Sequence, residues 1–148
     1  ELADRKDLLN ILYGTTPLFW MNGTGYRLPD DLHRMLRSYH DTCPLHEIVA
    51  LEEMQDHEFL TADRTVQRTR FGNGTEIVVN FSDEPKSVDA GTDEVTLAPR
   101  GFHVHGPGIS QTRLWIDEAA QTVVAVDDAP VQSVTGTSLS LESSSTAD

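Results

Sequence analysis

The chain has 148 residues, with 24 acidic against 11 basic side chains and a formal charge of −13. This length holds one ordinary domain, or a small domain with an appendage, and excludes a complete (β/α)₈ barrel of roughly 250 residues. The negative charge, unbroken by any Lys/Arg cluster, repels phosphate backbones and anionic lipid, so neither nucleic acid nor a membrane is expected as a partner.

In chain order, the opening segment reads as the middle of a helix, and the expectation is a polypeptide that continues upstream of Glu1. Leu8, Ile11 and Leu12 share one helical face, and Gly14 with Pro17 marks the stop. Leu18 to Met21 is short and apolar, as a buried strand-like segment would be, and Asn22 to Gly25 make a loop. Pro29, Asp30 and Asp31 suit the start of a second helix, in which Leu32, Met35, Leu36 and Tyr39 follow i, i+3, i+4, i+7 spacing. Pro44 ends that run and opens a shorter helix with Leu45, Ile48 and Val49 as its apolar face.

Near residue 58 helical spacing gives way to short alternating segments. Phe59-Leu60 begins the second part. A strand from about Arg64 to Phe71, a Gly72-Asn73-Gly74 turn and a strand from Thr75 to Phe81 then read as a hairpin. A strict two-residue turn would set Arg70 opposite Ile77 and Arg68 opposite Val79, placing cations in a core. A three-residue loop with Gly74 left-handed instead sets Arg70 opposite Glu76. It leaves Thr69, Phe71, Ile77, Val79 and Phe81 on one inner face. Further strands are expected at Val95 to Leu97, Gly101 to His105, Gln111 to Ile116 and Thr122 to Val126. Val131 to Leu141 could add an edge strand, and the Ser/Thr-rich end reads as disordered. The fold class is therefore α+β, a short N-terminal helical segment followed by an antiparallel β-sandwich. The expected division is helical over 1–57, sandwich over 58–128 and tail over 129–148.

Cys43 is the single cysteine, so it forms no intrachain disulfide and no cysteine-based zinc site. His103 and His105 flank Val104 and would project from one strand face, an arrangement that can offer two imidazoles to a metal, as in cupins. The cupin pattern also requires an acid a few residues on; none follows until Asp117, so the pattern is unmet and two ordinary surface histidines are the competing reading. The paired acids Asp30-Asp31, Glu52-Glu53, Asp83-Glu84, Asp93-Glu94 and Asp127-Asp128 read as turns or helix ends, and none is nominated as catalytic. No esterase elbow, phosphate-binding glycine loop or zinc-protease helix is present, and no cofactor is implied. Sugars bind by stacking on aromatic rings, and Tyr13, Phe19, Trp20 and Tyr26 cluster around the first loop. Trp20, Tyr26 and Tyr13 are the candidate carbohydrate contacts, against the simpler reading of core packing. Three sequons, at Asn22, Asn73 and Asn80, would matter in a secreted chain. The acidic surface also suits a high-salt environment.

One run is more specific. Leu9-Asn10-Ile11-Leu12-Tyr13-Gly14-Thr15-Thr16-Pro17-Leu18-Phe19, then Ser38-Tyr39, then Met54-x-x-His57-x-Phe59-Leu60-Thr61-x-Asp63-Arg64-x-Val66-Gln67-x-Thr69-x-Phe71-x-x-Gly74-Thr75 with Val78-Val79-Asn80-Phe81, resembles the C-terminal region of large bacterial glycoside hydrolases. The resemblance covers roughly residues 8–107. It implies the end of a catalytic barrel followed by an accessory β-sandwich. It further implies catalytic acids on upstream strands of the same polypeptide, carbohydrate as partner, and an extracellular or cell-surface location. The alternatives are a free-standing carbohydrate-binding or cell-surface module, and a cupin-like metal-binding protein using His103 and His105.

Overall fold

The computed structural model describes residues 2–19, 31–89, 94–116, 119–126, 132–135 and 138–139, with side chains over 5–19, 31–89 and 94–113. Two helices lead, α1 (Leu2–Leu12) and α2 (Leu32–Val49). The strands follow: β1 (Met54–Phe59), β2 (Val66–Phe71), β3 (Glu76–Asn80), β4 (Lys86–Asp89), β5 (Glu94–Leu97), β6 (Phe102–Gly106), β7 (Ile109–Ile116), β8 (Ala119–Val126), β9 (Gln132–Thr135) and β10 (Ser138–Leu139). The class is α+β, helices first and antiparallel strands after.

Among the described residues the main sheet runs β1-β2-β3-β6-β7-β8-β9-β10. The β4–β5 hairpin stands off this path and joins it where Leu97 pairs with Leu114 of β7. The chain turns between layers at Gly101, where an added Cβ would lie 2.6 Å from the Arg113 carbonyl oxygen and 2.8 Å from the Ala98 backbone. No other residue fits that crossing without displacing backbone.

Each face of the sheet has its own core. On one face Leu8, Ile11, Leu12, Leu45 and Val49 of the helices close over Phe71, Ile77, Val79, Phe102, Val104 and Ile109. On the other face Val66 and Val78 meet Val88 and Leu97 of the β4–β5 hairpin. Helices and sheet thus share one continuous core, and the change of character comes at Met54, so a boundary drawn at 58 falls inside β1.

The β2–β3 hairpin has the register that keeps cations out of the helix-side core: Arg70 pairs with Glu76, Thr69 with Ile77 and Arg68 with Val78. Gly74 is left-handed at φ +89°, its N–H donating to the Phe71 carbonyl at 2.9 Å. Three local expectations are corrected. Leu18 is 74 % exposed and outside any strand; the Lys6 amine holds this segment against α1 by donating to the Leu18 carbonyl at 3.2 Å and lying over the Phe19 ring. Helix α2 runs through Pro44, because burial of Leu45 and Val49 beyond it outweighs the roughly 3 kcal/mol such a proline costs. Its buried face is Ser38, Asp41, Thr42, Leu45 and Val49, whereas Leu32, Leu36 and Tyr39 face solvent. Strand β4 is an element that the polar spacing around Ser87 and Val88 does not announce.

Candidate functional site

Strand alternation places His57 and Phe59 on the helix-side face of edge strand β1, just beyond the C-terminal end of α1. Tyr13, leaving α1, lies alongside His57 with ring centroids 6.0 Å apart and planes 27° from parallel. His57 meets Phe59 edge-on at 5.2 Å, and the Arg64 guanidinium lies over the Phe59 ring at 5.3 Å. Tyr13 is 43 % exposed and Phe59 50 %, so the row Tyr13–His57–Phe59–Arg64 is an open aromatic strip with a cation at one end.

Hydrogen bonds brace this strip. His57 Nε2–H donates to Gln67 Oε1 at 3.1 Å, and the Gln67 amide donates to the Arg64 carbonyl at 3.1 Å. Arg64 itself is left-handed at φ +60°. The loop carrying it is tied by Asp63 Oδ1, which accepts from Thr61 Oγ1 at 2.5 Å, the Thr65 N–H at 3.1 Å and Thr65 Oγ1 at 2.9 Å. Those bonds, the one from Thr61 foremost, lower the Asp63 carboxyl to about 2. The Asp63 carboxylate therefore serves its own turn, and among the described residues Arg64 has no carboxylate partner.

Of the three sequence-nominated aromatics, Tyr13 belongs to this strip, while Trp20 and Tyr26 lie outside the described residues. His57 and Phe59 escaped nomination because the expected division at 58 leaves His57 in the helical part and Phe59 in the sheet until β1 is extended back to Met54, after which the i, i+2 pairing is plain.

His103 and His105 do share a face opposite the buried Phe102 and Val104, with near-parallel rings 6.4 Å apart. His103 Nδ1 is bonded to Thr112 Oγ1 at 2.8 Å. Burial first, and then the His105 charge, hold the His103 imidazole below its ordinary value. No third His, Cys, Asp or Glu converges with them among the described residues. Instead the face continues as a charge ladder. Glu76, opposite His105, accepts from Arg70 Nε at 2.8 Å, and Arg68 Nε donates to Glu58 at 2.6 Å.

Three acids elsewhere, Asp41, Asp7 and Asp83, are structural. Asp41, buried between α2 and β7, pairs with Arg113 at 2.6 Å, and burial raises its carboxyl despite that guanidinium. Asp7 accepts from Ser38 Oγ at 2.6 Å, and Arg100 bonds Asp83. Two of the three sequons are engaged by the fold. Asn73 donates to the Ile48 carbonyl at 3.1 Å, and Asn80, fully buried, donates to the carbonyls of Glu84 and Ala98 at 2.8 and 3.0 Å. The third, at Asn22, lies outside the described residues.

A scan against protein-family models and a search of curated proteins each find no match to this chain.

Proposed function

We propose that this chain is the accessory C-terminal portion of a glycoside hydrolase, which contacts carbohydrate through its β1 edge while the catalytic carboxylates lie on an upstream barrel of the same polypeptide. The observation that carries the reading is the Tyr13–His57–Phe59 row, with Tyr13 and Phe59 exposed on either side of a half-buried His57, since solvent-facing rings offer apolar faces to the C–H surfaces of sugars while flanking polar groups bind hydroxyls. The resemblance to glycoside hydrolase C-terminal regions supports it, because residues carrying that resemblance build both the strip and the core beneath it. Five described carboxylates support it too: Glu58, Glu76, Asp83 and Asp41 are committed to guanidinium pairs and Asp63 to its own turn. The exposed Leu32, Leu36 and Tyr39 stripe of α2 suits packing against an adjoining part of the polypeptide.

A glycan panel tests both halves. The longer polypeptide is expected to hydrolyse a glycan that this chain binds without turnover, and Tyr13→Ala with Phe59→Ala is expected to weaken binding about tenfold or more. Turnover by the isolated chain equal to that of the longer polypeptide would defeat the claim of upstream catalysis. A free-standing carbohydrate-binding or cell-surface module remains the second reading, favoured by the shared core of helices and sheet. Binding without any hydrolysis in the longer polypeptide selects it.

A further inference from the structure

Resting on the carbohydrate reading of the β1 edge, we infer that this edge is selective for acidic glycans, those carrying a carboxylate or sulfate, with Arg64 as the residue that reads the anionic group.

Three observations lead there. First, among the described residues the guanidinium groups along the sheet are paired: Arg68 with Glu58, Arg70 with Glu76, Arg100 with Asp83 and Arg113 with Asp41. Arg64 is the exception beside the aromatic strip; it rests on the Phe59 ring, which leaves its N–H fork for an external oxyanion. Second, the position is built. The backbone at Arg64 is held at φ +60°, a conformation unfavourable for a long side chain, by the Asp63 turn and by the Gln67 amide, and Gln67 is itself bonded to His57 of the strip. The loop is tied to the same side chains that would touch the sugar ring, so ring contact and charge contact arrive in fixed relation. Third, the nearest acid does not compete, since Asp63 is turned into its own loop, and Lys86 lies close enough to act on the Asp63 charge. The long-range field of a chain at −13 slows the approach of an anion, yet it is screened within about 8–10 Å at ordinary ionic strength, and Arg64 acts inside that distance.

The test is binding calorimetry on the full chain with three probes of matched length: an oligogalacturonate, a sulfated galacto-oligosaccharide and the neutral galacto-oligosaccharide. One or both acidic probes are expected to bind about three- to tenfold more tightly than the neutral one, with the advantage shrinking as salt rises. Which acidic probe leads identifies the oxyanion. Arg64→Gln is expected to abolish the advantage, weakening acidic binding about three- to tenfold more than neutral binding. Arg64→Asn, whose residue tolerates the left-handed backbone, gives the same result if the charge is responsible and the turn is preserved. Neutral binding equal to acidic binding, or an acidic advantage that survives both Arg64 variants, overturns the inference while the carbohydrate reading stands. No binding of any probe, together with a full glycan panel unaffected by Tyr13→Ala and Phe59→Ala, overturns both.

Discussion

The Thr69 hydroxyl, on β2 beside the edge strand, donates to the backbone carbonyl of Leu12 at 2.7 Å, and both residues are fully buried. The Leu12 carbonyl is among the last four of α1, which have no partner within the helix. A sheet side chain therefore completes the helix end and fixes where Tyr13 emerges onto the β1 edge. Thr69→Val keeps the shape but leaves that carbonyl buried without a donor, and is expected to cost about 1–3 kcal/mol in denaturant unfolding. It should also weaken glycan binding through Tyr13 displacement, whereas a stability loss with unchanged binding would separate the two roles.

Asn80 joins the layers in a similar way. Its amide nitrogen serves two carbonyls, and its Oδ1 accepts from the Ser82 N–H at 3.0 Å and Ser82 Oγ at 2.7 Å. Asn80→Ala strips all four bonds from a buried site and is expected to lower stability by roughly 2–4 kcal/mol. The same enclosure means that Asn80 carries no N-glycan in the folded chain, which intact-mass analysis after expression in a glycosylating host checks.

How much of this was legible depended on whether polarity and burial agreed. Arg68 and Arg70 specified the β2–β3 register because only one pairing keeps them on the charged face, and observed pairing follows it. The histidine pair was legible for the same reason, Phe102 and Val104 occupying the alternate positions. In α2 the two disagreed. The helix buries Ser38, Asp41 and Thr42, satisfied by Asp7, Arg113 and their own helix, and turns Leu32, Leu36 and Tyr39 outward. An apolar-face rule selects the wrong side when a buried polar network is fully bonded. The aromatic strip was half visible: Tyr13 stood out, while His57 and Phe59 required knowing that β1 pairs His57 with Thr69 and Phe59 with Gln67.

Two glycines separate backbone strain from crowding. Gly14 has φ +62°, and an added Cβ would sit 2.4 Å from Val49 Cγ2 and 3.2 Å from the Phe71 ring, while its carbonyl accepts from His46 Nδ1–H at 2.8 Å. Gly74 has φ +89° with open space around it. Gly74→Ala is therefore expected to cost about 1–2 kcal/mol from the backbone alone. Gly14→Ala adds overpacking and should lose roughly 2–4 kcal/mol. Equal losses in chemical denaturation would place the Gly14 penalty in the backbone rather than in Val49 and Phe71.

The His103–His105 face carries a pH dependence whose sign follows from burial. His103 is half-buried, with Thr112 bonded to it, Val78 across on β3, His105 beside it, and Glu76 the acid that opposes the shift. Its folded value lies below the ordinary 6.5, so as pH falls the unfolded chain takes up this proton first. The contribution is thus fully present above about pH 6.5 and is lost as pH falls from there through the depressed folded value. Melting followed from about pH 8 to about pH 5 should show stability declining over the acid half of that range. His103→Gln retains an amide able to bond Thr112 but takes up no proton, so it should flatten that decline while leaving the plateau near neutrality little changed. Because Glu76 draws the proton toward the pair, Glu76→Gln is expected to steepen the decline. An unaltered slope in both variants would place the acid sensitivity elsewhere on the chain.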